Sequence, residues 1–271
     1  MPSYLITGAS RGIGLIIVHK SVNPENLVYA LVRNLDTAQR IEALSEWGNI
    51  RVVKGDITDP DALKIVAEEV SKGNNGKLDV LINNAAYIDR DSASVPLTEF
   101  HGKENLLEKV LLETVKSFFI YFEMGAVIHT INAFLPLLQA GEAKKVITLS
   151  TGLADPDFSQ QTGYYLSAPY SISKAATNMV ITKYSVQFKK DGFIFVAISP
   201  GLVDTVGDQE ISSEELAGYQ VMLEGFRKIK PTFEGAISPE ESVKAQLAVI
   251  DRLTVKDTGA FLSHHGNKEW L

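Results

Sequence analysis

Tyr170 and Lys174 are the residues from which chemistry is most readily built. They stand four apart in Tyr170-Ser171-Ile172-Ser173-Lys174, so on a helix both project from one face. A free phenol titrates near a pH of about 10 and exchanges protons poorly at neutrality. An ammonium group beside it stabilises the phenolate and draws that value down. A phenol tuned in this way can give a proton to a carbonyl oxygen while hydride reaches the carbon, or take one back in reverse. A tyrosine and a lysine at this spacing also recur by chance, so the pair needs company. Ser150-Thr151 offers some. Either hydroxyl can donate a hydrogen bond to the same carbonyl oxygen, and counting positions does not choose between them.

Hydride chemistry needs a carrier, and the N-terminal end of the chain provides for one. Thr7-Gly8-Ala9-Ser10-Arg11-Gly12-Ile13-Gly14 follows an apolar run and opens a helical stretch. Without Cβ atoms, Gly8, Gly12 and Gly14 let the backbone turn sharply and come close to a pyrophosphate. The helix start, with Ser10, Arg11 and Ile13 among the glycines, presents free N–H groups to the phosphates. A ribose 2′-hydroxyl would call for Asp or Glu about 20 residues further on. The chain has Val32-Arg33-Asn34 there. Arg33 can meet a 2′-phosphate as a charge-assisted fork, with Arg11 approaching from the other side. Asp36 is the nearest acid and lies past Arg33. NADP(H) is therefore expected in preference to NAD. A nucleoside-triphosphatase loop would need a closing lysine followed by Ser or Thr, which this loop lacks.

The elements that must hold these groups follow from the hydrophobic pattern. Apolar, β-branched or aromatic runs occur at 4–6, 27–32, 50–53, 78–82, 145–149 and 193–198, with a weaker one at 259–262. Near-continuous apolarity suits strands covered on both faces. Between them, 61–70 reads as a helix capped by Asp59 with Pro60 in its first turn, and 173–190 as a longer one. Strand alternating with helix predicts an α/β fold: a Rossmann-type doubly wound parallel sheet of about seven strands with helices on both faces. No linker or short-period repeat divides the 271 residues, so one domain is expected.

With those motifs in order, the chain resembles the short-chain dehydrogenase/reductase family, in its short single-domain branch, over nearly its whole length. The matching positions are Thr7 to Gly14, Asp56 after the third strand, Asn83-Asn84-Ala85-Ala86 after the fourth, Ser150-Thr151 after the fifth, Tyr170 and Lys174, and Pro200-Gly201-Leu202-Val203-Asp204-Thr205 after the sixth. Each falls where open α/β sheets bind ligands. The resemblance implies that Asp56 and Ile57 hold the adenine, and that Asn83 and Ala85 shape the floor beneath the cofactor. Lys174 would grip the nicotinamide ribose, while Pro200, Gly201, Val203 and Thr205 would orient the nicotinamide and phosphates. It also implies a homodimer or homotetramer joined through helices at 126–138 and 173–190, and a lid around 204–231.

Three departures from the family pattern stand out. Ser150-Thr151 replaces a pair of serines. The gap to Tyr170 is long; Tyr164 would fit a shorter one, but Ala168 and Pro169 follow Tyr164 and Tyr165 where a lysine is needed. Residues 154–167 then read as a lengthened loop whose Asp155, Asp157, Phe158, Tyr164 and Tyr165 either face substrate or are solvated. Finally, the family's asparagine before the fifth strand is replaced around Tyr121-Phe122-Glu123-Met124-Gly125, which puts its water-linked proton relay in doubt. Asn132 is badly placed to substitute.

Bulk properties narrow the partners. A net charge of −7 does not favour nucleic acid or an anionic membrane. Cysteine is absent, which removes thiolate metal sites and cysteine nucleophiles. No metal site is expected, since His264-His265 lacks a third ligand nearby and reads as exposed or substrate-loop histidines. The apolar stretch 118–138 contains Glu123, His129, Asn132 and Pro136, as a buried or interface helix would and a membrane span would not. With no basic-then-apolar leader, a cytoplasmic location fits. The activity expected is interconversion of a ketone or aldehyde with an alcohol. The alternative is an NADP-binding regulatory or scaffold protein with little turnover.

Overall fold

The computed structural model describes residues 1–21, 24–37, 39–42, 48–86, 93–100, 124–205 and 212–271. Seven strands form one sheet: β1 (Ser3–Thr7), β2 (Leu27–Val32), β3 (Ile50–Lys54), β4 (Val80–Asn83), β5 (Lys145–Leu149), β6 (Ile194–Ser199) and β7 (Phe261–Ser263). Their order is β3-β2-β1-β4-β5-β6-β7 and every pairing is parallel. The order reverses between β1 and β4, which opens a crevice at the carboxyl ends of those strands.

Alternate residues of each strand serve opposite cores, as the pleat requires. Ile6, Ala30, Ile82, Ile147 and Val196 face one layer with Ile17 and Val18 of α1 (Gly12–Ser21). Leu5, Tyr29, Leu81, Val146 and Phe195 face the other with Leu63, Val66 and Val70 of α3 (Pro60–Gly73). The short α2 (Gln39–Glu42) lies between β2 and β3. The second layer also receives Val127, Ile131 and Phe134 of α4 (Ala126–Ala140) and Ile181 of the next long helix. The central strands are therefore apolar on both sides, which is why they show no period-two alternation, whereas the edge strand β3 exposes Arg51 and Lys54.

Asp59 caps α3 as predicted, accepting from Asp61 N and Ala62 N, with Pro60 in the first turn. Three expectations are corrected. Residues 154–167 are not a plain loop: Asp155 caps a helix, α5 (Pro156–Thr162), in the same Asp-Pro arrangement. The helix carrying Lys174 is α6 (Ala168–Gln187), beginning five residues earlier than the apolar period indicated, because Pro169 fits its first turn. His264 is buried rather than exposed. Among the described residues two further helices follow, α7 (Ser213–Ile229) and α8 (Pro239–Arg252). The segment around Tyr121, Phe122 and Glu123 lies outside the described residues, as does 206–211 of the expected lid. No helix among the described residues is long and apolar enough to cross a membrane.

Candidate active site

The glycine loop is built by close approach. Gly8 (φ +65°) and Gly12 (φ +54°) adopt left-handed backbone, which costs glycine little and other residues more. A Cβ on Gly8 would lie 2.8 Å from Ala85 Cα, and one on Gly14 would collide with the Asn84 amide and Gly8 O. Gly12 differs: a Cβ there would meet nothing nearer than Thr205 Cγ2 at 4.0 Å. The loop is thus packed tightly behind and open in front, where α1 begins. Asn84 latches it, donating to Thr7 O (2.9 Å) and Gly8 O (3.2 Å), while Thr7 Oγ1 accepts from Asn84 N and Ala85 N, each at 3.0 Å. This geometry fits a pyrophosphate: space is open in front of Gly12, where the start of α1 favours an anion.

The remaining cofactor candidates line the same strand ends. Arg33 and Asn34 follow β2, exposed, with Asn34 Oδ1 accepting from Asp36 N at 3.0 Å. Arg11 is exposed on the loop, between half-buried Ser10 and Ile13 on either side of Gly12. Asp56 Oδ1 accepts from Thr58 N (2.9 Å) and Thr58 Oγ1 (2.7 Å), which fixes its carboxylate beside half-buried Ile57. Asn83 is buried and donates to Thr148 Oγ1 across β4 and β5 at 3.2 Å; its Oδ1 has no partner among the described residues. After β6, Pro200 O accepts from Ser242 Oγ at 2.6 Å, and Gln246 Nε2 donates to Ser242 Oγ at 2.9 Å. Val203 bridges Ile237, so Thr205 arrives in front of Gly12.

The candidate acid–base residues Tyr170 and Lys174 sit on α6. Lys174 is 3 % exposed and its Nζ donates to Leu149 O, at the end of β5, at 3.1 Å. That ammonium lies 5.9 Å from the centre of the Tyr170 ring, one helical turn away. Tyr164, the competing tyrosine, is buried and hydrogen-bonded to Ser167 Oγ at 3.0 Å; burial raises its pKa, which that bond only partly offsets. Asn132 accepts from Tyr184 OH at 2.7 Å on the face shared by α4 and α6, so it is engaged elsewhere.

Ser150 and Thr151 separate cleanly. Ser150 is 2 % exposed, and its Oγ is sealed in without a partner among the described residues. Thr151 is half-buried and lines a cavity with Leu153, Ser199, Gly201 and Trp270. Its Oγ1 accepts from Leu153 N at 3.3 Å, which leaves its own proton for donation.

A family model described as short chain dehydrogenase matches residues 3–216. The chain belongs to the short-chain dehydrogenase family. Among the relatives of this short-chain dehydrogenase, the short-chain dehydrogenase/reductase AacuF of Aspergillus aculeatus is 43% identical over the full length of both chains. The short chain dehydrogenase virK of Hypocrea virens is 40% identical, again over both full lengths. Among solved structures, the NADPH-bound carbonyl reductase from chicken fatty liver superimposes with a TM-score of 0.72 at 25% identity, covering 98% of each chain. The carbonyl reductase Sniffer of D. melanogaster shares the fold, with a TM-score of 0.74 at 24% identity and 98% coverage of each.

Around the site, further contacts of this short-chain dehydrogenase become visible. Phe158 of α5 does not meet solvent; it packs on Phe226 of α7 and Trp270, with ring centres 5.3 and 6.5 Å away. Asp155 is engaged as a helix cap, and Tyr165 is exposed. Thr7 and Asn84 position the glycine loop, and Ser242 and Gln246 the loop after β6. The last two carried a readable signal: they are polar residues four apart on the face of α8 that also buries Val243, Val249 and Ile250. His264 packs against Gly201 (φ +83°), where a Cβ would lie 2.8 Å from His264 Cε1. Among the described residues, no three His, Cys, Asp or Glu side chains gather as a metal site.

Proposed function

We propose that this chain is an NADP(H)-dependent oxidoreductase interconverting a ketone or aldehyde with the corresponding alcohol. The observation that carries the reading is the Lys174 ammonium, pinned to Leu149 O and 5.9 Å from the Tyr170 ring, two residues before Thr151 begins its turn. When bound, the nicotinamide supplies or accepts the hydride. Tyr170 gives its phenolic proton to the carbonyl oxygen, and Lys174 favours the phenolate that remains. Thr151 donates a hydrogen bond to the same oxygen, a task for which the sealed Ser150 is badly placed. Lys174 also faces the nicotinamide ribose.

Gly8, Gly12, Gly14 and the N–H groups of the loop receive the pyrophosphate, while Asp56 and Ile57 flank the adenine. Asn83 and Ala85 form the floor, and Pro200, Gly201, Val203 and Thr205 hold the nicotinamide end. Arg33, with Arg11 opposite and Asn34 beside it, selects the 2′-phosphate. The similarity to an NADPH-bound carbonyl reductase supports this choice. We read residues 1–271 as a single domain with a lid around 204–231. The apolar face of α4 and α6 favours a homodimer or homotetramer, and a cytoplasmic location is part of the same proposal.

The test couples binding to turnover. NADPH and NADH are titrated separately, then NADPH absorbance is followed against a panel of ketones and aldehydes. Tighter binding of NADPH and turnover that falls about 10²-fold or more in Tyr170→Phe are expected. Equal affinity for NADH removes Arg33 from its role, and NADPH binding without turnover on any carbonyl sinks the catalytic reading.

A further inference from the structure

Thr151 opens onto a cavity of about 50 Å³, walled by Leu153, Phe158, Leu202, Met222 and Trp270 among others. By the same measure a single water needs roughly 10–15 Å³, so this space admits only a few non-hydrogen atoms. Apart from Thr151 and Ser199 its lining side chains are apolar or aromatic, suited to an alkyl group and hostile to a charge.

Trp270 limits it, and Trp270 is held from several sides. The residue is 7 % exposed. Its ring centre lies 4.5 Å from that of Phe261. A Cβ on Gly152, next to Thr151, would sit 3.0 Å from Trp270 Cβ, so the absence of a side chain at Gly152 is what lets the indole come this close. Lys268 spans the indole at 5.2 Å and pairs with Asp155 at 3.5 Å, which ties this segment to the start of α5. Lys230 Nζ donates to Leu271 O at 3.2 Å, which ties it to the end of α7. Beyond Trp270 and Leu271 lies a second cavity of about 260 Å³, and Leu202, Trp270 and Leu271 line both spaces. The indole is therefore part of a partition between a small chamber at Thr151 and a larger one behind it.

We infer that Trp270 sets the size of the smaller arm of the carbonyl substrate: the chamber at Thr151 takes hydrogen, methyl or ethyl, and rejects longer chains. The inference rests on the carbonyl-reductase reading above. The larger substituent must then leave on the open side of the site.

The experiment compares acetophenone with butyrophenone, which share the phenyl arm and differ by methyl against propyl. Native enzyme should favour the methyl ketone by about tenfold or more in kcat/KM, since even one methylene in a confined apolar pocket changes rates on that scale. Trp270→Ala should bring the two substrates within a few fold, by raising turnover of butyrophenone rather than by losing acetophenone. Met222→Ala enlarges the same chamber from α7 and should shift the ratio in the same direction; it decides alone if Trp270→Ala does not fold. Retention of the native NADPH KM reports an intact cofactor site in each variant. A ratio unchanged in both variants, or native enzyme indifferent to chain length, overturns the inference and leaves the carbonyl-reductase reading standing. Native enzyme that binds NADPH yet reduces no carbonyl overturns both together.

Discussion

At the scale of single residues, burial assigns tasks that residue type leaves open. Ser150 and Thr151 carry the same functional group, and only their exposure separates them. Thr151→Val should lower kcat by about 10²-fold, the usual effect of removing one aimed donor from a developing oxyanion, and Thr151→Ser should restore most of it. Ser150→Ala should leave kcat within a few fold. Steady-state kinetics on one ketone checks both, and the reverse ranking would move the donor to Ser150. His264 shows burial acting on charge. Its pKa is pushed down to about 4, first by burial and then by the nearby charges of His265 and Lys230. It is therefore neutral in the folded chain at neutral pH, whereas an unfolded histidine takes up a proton near a pH of about 6.5. Its contribution to stability is fully present above that value and is lost as pH falls toward 4. The urea midpoint should drop between pH 7 and pH 5, and His264→Gln should show a smaller drop. An equal drop in both proteins would assign the loss to other groups.

At the scale of elements, capping chemistry places the insertion that distinguishes this site. Asp155 accepts from Asp157 N (2.9 Å) and Phe158 N (3.4 Å), and Pro156 follows in the first turn. Asp155→Ala should cost about 1 kcal/mol, as loss of an N-cap does, and should also release Lys268. A urea titration reads the first effect. A destabilisation within error would mean that Phe158 packing alone holds α5. The same Asp-Pro signal marks a helix start at Asp59-Pro60, where an apolar period follows, but stands alone at Asp155-Pro156, because a seven-residue helix is too short to show such a period. The strands were legible for the opposite reason: each is a dense apolar run bounded by turns. Tyr170, Lys174 and the glycines were legible through order and spacing. Asn84, Ser242 and Trp270 were not singled out for their roles, since each acts through a contact with a residue distant in sequence. Asn84 reaches Thr7, Ser242 reaches Pro200, and Trp270 reaches Gly152.

At the scale of the whole molecule, one face exposes large apolar side chains. Met179 is 57% exposed and Val186 69%, both on α6. Between α4 and α6 runs an open, mainly apolar recess of about 620 Å³ lined by Ile128, Leu135, Met179, Val180 and Phe188, with Lys183 and Gln187 at its polar positions. The two helices are joined there by the Tyr184–Asn132 hydrogen bond, so the face is presented as one rigid surface. A contiguous apolar patch of this kind marks a binding surface, and a twofold axis through it would let a second copy cover it with its own α4 and α6. Native protein should sediment as a dimer or a multiple of one. Met179→Arg places a second positive charge one helical turn from Lys183 in the same recess, where pairing would bury two like charges together. The variant should sediment as a single chain while keeping its NADPH affinity, because α6 presents Tyr170 and Lys174 toward β5 rather than toward this face. If native protein already sediments as a single chain, this face does not pair copies of the chain, and the oligomer implied by the family resemblance must be given up.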